Sequence, residues 1–384
     1  MSKKNILCIT GTRADYGIYR PLLLEMEKSA DFNLSLLVTG MHLLKEYGET
    51  ITHIKRDQLH IVSTPSILMK GDDHLSMAQS LGVGILSFSH VLAAEKPDYL
   101  LVLGDRGEML AAATVAHYLN IPIVHFHGGE VSGSADDAIR HAITKLAHLH
   151  FVSSEKSKNT LLRLGEEEWR IHVIGSLRKT EIEHIKRMDT SQKQELQKKY
   201  NLPLNQPFLL VAFHPDSRDE LSPKEQVHRL LRALEHVNEV ILFIGANSDA
   251  GGEYFNDTIN QFCRKHHQRA FFYASVPQEE YLFLLQQADA LIGNSSSGLI
   301  EAPFFNLPYV LVGNRQKGRE RGSNVMETPY EEKEIYAVIQ NRNSVTKQQH
   351  VNPYDVLDCP EKHVLHHLKQ PIDHWAFINK RVGE

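Results

Sequence analysis

Residues 5–28, NILCITGTRADYGIYRPLLLEMEK, hold the architecture of the whole chain in one stretch. The apolar run 5–10 has the length of a buried strand. It stops at Gly11, and an amphipathic segment, 17–28, follows with helical spacing. Strand, glycine-bearing turn and helix form the repeating unit of a parallel α/β sheet. Working outward, the same rhythm predicts strands at 33–39, 98–104, 121–126, 150–153 and 171–174, with helices at 75–94 and 108–119. It restarts in the second half, with strands at 208–213, 240–245, 270–274, 290–293 and 309–312. Helices at 223–236, 258–266, 278–287 and 298–305 fall between them. The intervening stretch, 175–205, is highly charged, lacks an apolar run of strand length and runs into Pro203 and Pro207. It reads as a linker helix and loop. The chain therefore divides into two doubly wound α/β domains, 1–178 and 179–359, with a helical tail, 360–384, able to pack back on the first. Two such domains are expected to face each other across a central cleft, with ligands bound beyond the carboxyl ends of the strands.

The 384 residues are 42% hydrophobic and 23% charged, with a net charge of −5. This is an ordinary globular composition, long enough for two cores. Mild acidity without a basic block argues against a nucleic-acid partner. No run approaches the ~18 consecutive apolar residues of a membrane helix, so no membrane partner is expected. The opening MSKKNILCIT is too poor in apolar residues for a secretory leader, and a cytoplasmic location follows as the expectation. Cys8, Cys263 and Cys359 are too far apart for a disulfide framework or a zinc motif. Most of the 23 histidines are scattered, and neither metal nor cofactor is expected.

The residues just after each strand narrow the chemistry. Gly11-Thr12-Arg13-Ala14-Asp15-Tyr16-Gly17 matches neither a dinucleotide fingerprint nor a P-loop. It places Arg13 at a helix start, where an anion is favoured, with a surface pair to Asp15 as the alternative. Asp105-Arg106-Gly107-Glu108 follows the next candidate strand. Asp105 is either the N-cap of a capping box closed by Glu108 or a carboxylate placed for acid–base work. His125-Phe126-His127-Gly128-Gly129-Glu130 carries an H-x-H spacing that hints at metal, but the glycine-rich loop fits better around a polar ligand. Asp136 and Arg140 stand i,i+4 on a predicted helix, where an intrahelical ion pair competes with a functional role. In the second half, Pro215 holds His214 extended, so its ring can donate to a diphosphate or shuttle protons. Gly293-Asn294-Ser295-Ser296-Ser297-Gly298 leads into a helix bearing Glu301. The serines either cap that helix or cradle a diphosphate, with Glu301 reaching two ribose hydroxyls. The basic stretch Arg315–Gly322 either closes over a site or is a solvated loop.

Taken in order, ITGTRAD (9–15), VTGMH (38–42), GDR (104–106), HGGE (127–130), Asp137-x-x-Arg140-His141, GNSSSG (293–298) and Gly313-x-Arg315-Gln316 resemble the hydrolysing UDP-N-acetylglucosamine 2-epimerases of bacterial sialic-acid synthesis. The resemblance spans about residues 5–325. It implies a GT-B fold of two Rossmann-like domains and a reaction without metal or nicotinamide, in which UDP-GlcNAc and water give UDP and N-acetylmannosamine. UDP-N,N′-diacetylbacillosamine, on the legionaminic-acid route, is the alternative substrate. By position, the resemblance assigns Arg13, His214, Ser295 and Ser296 to the diphosphate, Glu301 to the ribose and backbone near Val276 to the uracil. Arg106, Asn247 and Arg315 line the nucleotide-sugar site, and Asp105 and Asp136 fall where the family has catalytic carboxylates. Many members have Glu-Gly-Gly-Glu where this chain has His127-Gly128-Gly129-Glu130, so either His127 or Glu130 takes the third acidic role. A sugar C2 proton is not α to a carbonyl. Ionisation of the bond from C1 to phosphate must come first, giving 2-acetamidoglucal that is then hydrated. A glycosyltransferase or a nucleotide-sugar sensor of the same fold are the rival classes, and a homodimer is the default assembly.

Overall fold

In a computed structural model of the chain, residues 3–45, 48–71, 73–131, 136–202, 206–216, 219–245, 252–347, 351–371 and 374–381 are described. Two units emerge, Met1–Lys179 with Val356–Glu384, and Thr180–Asp355. In the first unit, β1 (Lys4–Thr10), β2 (Phe32–Val38), β3 (Ile61–Ser63), β4 (Tyr99–Leu103), β5 (Ile123–Phe126), β6 (Leu149–Val152) and β7 (Ile171–Val173) form one parallel sheet of order β3-β2-β1-β4-β5-β6-β7. The second unit repeats the plan with β8 (Phe208–Ala212), β9 (Val240–Ile244), β10 (Ala270–Tyr273), β11 (Ala290–Gly293), β12 (Tyr309–Val312) and β13 (Val325–Thr328), ordered β10-β9-β8-β11-β12-β13. Both orders reverse between the first and fourth strands, at β1/β4 and at β8/β11. Such switch points are where open α/β sheets bind ligands.

The strands are apolar throughout because both sheet faces are covered. All five residues of β4 are buried. Tyr99, Leu101 and Leu103 feed one core while Leu100 and Val102 feed the other. The second unit divides in the same way, Leu209 and Val211 on one side and Phe208, Leu210 and Ala212 on the other. Each fully buried leucine contributes on the order of 1.5–3 kcal/mol. The C-terminal helix Pro360–Lys369 and the short helix His374–Ile378 belong to the first unit. Val364, Leu365, Leu368 and Phe377 join its core, and the buried Arg170 donates to the Phe377 carbonyl at 2.8 Å and to that of His148 at 3.0 Å.

Several elements differ from the expectations. The first helix begins at Arg13, not residue 17, because Thr12 and Asp15 close a capping box. The short edge strands β3 and β13 are additions, and so are the helices Glu155–Arg163 and Glu332–Gln340. The charged join carries two helices, Lys179–Lys186 and Thr190–Lys199. The expected helix at 298–305 is a single turn, Ser297–Ile300, followed by a 3-10 turn, Ala302–Phe305. Pro303 lacks the N–H that would continue the α-helix. The helix His74–Glu95 is long and apolar enough by length and composition to cross a membrane. Counting consecutive apolar residues passes over it because serine, glycine and histidine interrupt the run. Phe88 and Leu92 are buried, while Leu75, Met77 and Leu86 are exposed.

Candidate active site

At the first switch point, β1 ends in a turn built around one carboxylate. Asp15 accepts from the backbone N–H of Gly11 and Thr12, each at 3.1 Å, and from the Thr10 hydroxyl at 2.5 Å. The buried His42 ring bridges Thr10 at 2.9 Å and Thr50 at 2.8 Å, and its Nε2 stands 3.8 Å from Asp15. Burial alone would raise the Asp15 pKa, but the nearby His42 ring and the Thr10 hydrogen bond outweigh it and hold it below the usual carboxylate range. Asp15 is therefore spent on the turn, which leaves Arg13 exposed at the first helical position. Glu108 enters the same turn from the neighbouring strand end. A Cβ on Gly11 would lie 2.1 Å from its Oε1, so only glycine lets the carboxylate in. Arg106 donates to that carboxylate from Nε at 2.6 Å.

The helix Gly107–Tyr118 has Arg106, not Asp105, at its N-cap, and no side chain caps it. Asp105 instead receives Nη2 of Arg140, while Nη1 of the same guanidinium donates to the His127 carbonyl at 2.8 Å. One buried arginine thus ties the loop after β4 to the loop after β5. The two histidines of H-x-H part company. His125 bonds the Gly104 carbonyl at 2.9 Å and faces Thr144 at 3.3 Å. Burial, then the nearby His150, pushes its pKa well down, so it stays neutral. His127 sits at φ 60°, a left-handed conformation that costs a non-glycine residue about 1–2 kcal/mol. Its Nδ1 lies 2.8 Å from Glu130, which also accepts from Ser153 at 2.7 Å. Its Nε2 is buried without a hydrogen-bond partner. The two residues offered as alternatives for one role are in direct contact and form a single unit. Asp136 opens the helix Asp136–Leu146 and is exposed; residues 132–135 before it lie outside the described residues.

At the second switch point the groups are mostly neutral donors. Asn294 is fully buried and its amide clamps His214 at both backbone atoms, N–H to Oδ1 at 2.8 Å and Nδ2 to carbonyl at 2.8 Å. Its own carbonyl receives Gln316 at 2.8 Å and Arg315 at 3.4 Å. This close approach needs Gly293, at φ 136°, where a Cβ would stand 2.1 Å from the Ala212 carbonyl oxygen. Burial, with Arg315 second, pushes the His214 pKa down to about 3. At neutral pH the ring is an uncharged donor, which favours the anion-holding alternative over proton shuttling. Ser296 stands at the N-cap of the one-turn helix, and its hydroxyl makes no capping bond. Tyr281 and Ser295 hold Ser297 at 2.6 Å and 3.1 Å. Glu301 is buried at the end of that turn. The Val276 side chain belongs to the core, so only its backbone can face a ligand. Asn247 lies outside the described residues.

Arg13, Asp105, Arg106, His127 and Glu130 thus gather at strand ends of the first unit, and His214, Ser295, Ser296, Glu301 and Arg315 at those of the second. Sequence reasoning left His42, Ser153, Asn294 and Gln316 without roles, and offered Arg140 only as an ion-pair partner of Asp136 where the structure gives it Asp105. All but Ser153 stand inside the ordered motifs, which was the available signal.

A family described as UDP-N-acetylglucosamine 2-epimerase matches residues 24–362. The "UDP-N,N′-diacetylbacillosamine 2-epimerase (hydrolyzing)" of Legionella pneumophila is 41% identical over 84% of this chain and 85% of its own length. The "GDP/UDP-N,N′-diacetylbacillosamine 2-epimerase (hydrolyzing)" of Campylobacter jejuni is 38% identical over 85% of both chains. Among solved structures, the UDP-GlcNAc 2-epimerase of Neisseria meningitidis bound to UDP-GlcNAc superposes with a TM-score of 0.79, at 18% identity, over 95% of this chain and 99% of that one. The fold is of the GT-B type.

Proposed function

The chain belongs to the UDP-N-acetylglucosamine 2-epimerase family, an enzyme of the hydrolysing UDP-sugar 2-epimerase kind, and from that premise we propose that its substrate is UDP-N,N′-diacetylbacillosamine. The observation that carries this choice of sugar is the 41% and 38% identity to two relatives so named. UDP-GlcNAc, for which the family is named, is the second reading.

In the mechanism we infer, the second unit holds the nucleotide. Neutral His214, the hydroxyls of Ser295 and Ser296, and Arg315 bind the diphosphate, and Arg13 is the further diphosphate contact that the family resemblance assigns. Glu301 accepts the ribose hydroxyls, and Asn247 and the backbone near Val276 complete the nucleotide contacts. A single helical turn has little dipole, so these individual donors carry the anion. Preorganised donors stabilise a departing diphosphate because they need no reorganisation as charge develops. The bond from C1 to the phosphate oxygen breaks with its electron pair leaving on UDP. Oxocarbenium character at C1 makes the C2 proton acidic, and a base of the first unit removes it, giving the glycal. Water then adds to C1 while a proton returns to the opposite face of C2. UDP and the free 2-epimer, of manno configuration, are the products, the latter suited to nonulosonate synthesis.

Asp105, Asp136 and the His127–Glu130 unit are the acid–base groups. Arg140 supports the pairing of two of them, since it anchors Asp105 and the His127 carbonyl together. Glu130 accepts from Nδ1 of His127, which leaves the buried Nε2 as the reactive nitrogen.

Incubation of the protein with each UDP-sugar in heavy water tests the reading. The product should be the manno epimer of the diacetamido sugar with about one deuterium at C2, because an active-site acid exchanges with solvent between turnovers. Oxygen from labelled water should appear at C1 and not in UDP. Turnover of UDP-GlcNAc alone would move the assignment to the second reading. Release of the unlabelled gluco sugar would indicate a transferase leaking to water, and tight binding without turnover a sensor.

A further inference from the structure

Far along the chain from the residues above, three histidines of the first unit meet at one point. His172 lies on the edge strand β7, and His363 and His367 lie one turn apart on the helix Pro360–Lys369. One ring nitrogen from each falls within 4.8 Å of the others. Nε2 of His363 and His367 are 3.1 Å apart, and the rings of His172 and His367 have centroids 3.8 Å apart. Nitrogen ligands of tetrahedral zinc, at ~2.0–2.1 Å from the ion, stand ~3.3 Å from one another. An i,i+4 histidine pair on a helix face is a recurrent way of presenting two of them.

We propose that His172, His363 and His367 form a zinc site that fastens the C-terminal helix to the edge strand of the first sheet. All three rings are half-buried. Burial, then His367, lowers the His172 pKa to about 4, and burial also lowers those of His363 and His367, so all three are neutral imidazoles at pH 7, and the hydrogen bond shared by Nε2 of His363 and His367 would give way to the ion. Lys158, His150 and His366 also act on these rings, and among the described residues no carboxylate or cysteine joins the group. An all-imidazole set selects zinc and its neighbours in the transition series over magnesium or calcium. Water takes the fourth position.

Chelator-treated full-length protein, titrated with Zn²⁺ and desalted, should retain about one ion per chain and melt several degrees higher, because a metal bound only by the folded state stabilises it. Co²⁺ should give the intense visible bands of four-coordinate geometry, and Mg²⁺ should shift nothing. His172→Gln, His363→Gln and His367→Gln should each weaken zinc retention at least ~100-fold, beyond the 10–100-fold typical of losing an outer partner. His366→Gln, exposed on the same helix, should leave it unchanged. Zinc retained equally by all three variants, or not retained by the parent, overturns the proposal. A six-coordinate cobalt spectrum from the parent overturns it without relying on any variant to fold.

Discussion

The two units reverse strand order at the same place, yet the chemistry at the two reversals is opposite. Beyond β1 and β4 stand carboxylates with cationic or imidazole partners: Asp15 with His42, Asp105 with Arg140, Glu108 with Arg106. Beyond β8 and β11 stand an amide, hydroxyls and an imidazole pushed towards neutrality. Topology decides where the groups gather and says nothing of what they do. In the proposed mechanism one reversal moves protons and the other holds an anion.

The sharpest way to break that contrast is Asp105→Asn. Turnover should fall ~10²–10⁴-fold, the usual effect of losing an acid–base group, while UDP binding measured calorimetrically stays close to the parent value. A matching loss of UDP affinity would erase the division of labour.

Acid should also separate the units. In the first unit His148 is pushed down to about 3 and His150 and His172 to about 4, in each case chiefly by burial, and His125 is depressed with them; the second has His214. Above pH 6.5 these rings are neutral whether the chain is folded or not. Below it the unfolded chain takes up protons that the folded chain refuses, so stability falls until the folded pKa is reached. Between pH 7 and pH 5 the first unit should lose roughly 3–5 kcal/mol more than the second. Amide exchange should therefore accelerate in β4–β6 before β8 and β11; equal acceleration would contradict it.

Asn294→Ala sharpens the neutral side. It leaves two buried backbone groups of His214 unpaired, and about 2–3 kcal/mol of stability should go with them. Chemical denaturation would register the loss, and UDP binding should weaken in parallel. Smallest is Glu301→Ala, expected to weaken UDP binding by about 2 kcal/mol. The preference for UDP over 2′-deoxy-UDP should shrink with it, and undiminished discrimination would place the ribose elsewhere.

Strands such as β4, β11 and β12 are legible in the sequence because burial on both faces demands an uninterrupted apolar run. β3 and β13 are not, since short, partly buried edge strands carry no such run. The true start of the first helix was present as Thr12-x-x-Asp15, a capping box with aspartate where glutamate is usual. The positions of the candidate residues could be read from strand ends. Their partnerships could not, because Asp105 with Arg140 and His214 with Asn294 join loops distant in the chain.

The return of Pro360–Lys369 to the first core has a consequence for synthesis on the ribosome. The opening 179 residues emerge lacking Val364, Leu365, Leu368 and Phe377, the side chains that complete their interior. At ~5–20 residues per second, translating Thr180–Asp355 takes roughly 10–35 s. Throughout that interval the nascent first unit exposes an unfilled apolar seam, while the later-made unit has, at the end of it, every residue of its own core. The order of translation and the order of completion are therefore reversed, and the waiting seam is where a chaperone would engage the growing chain.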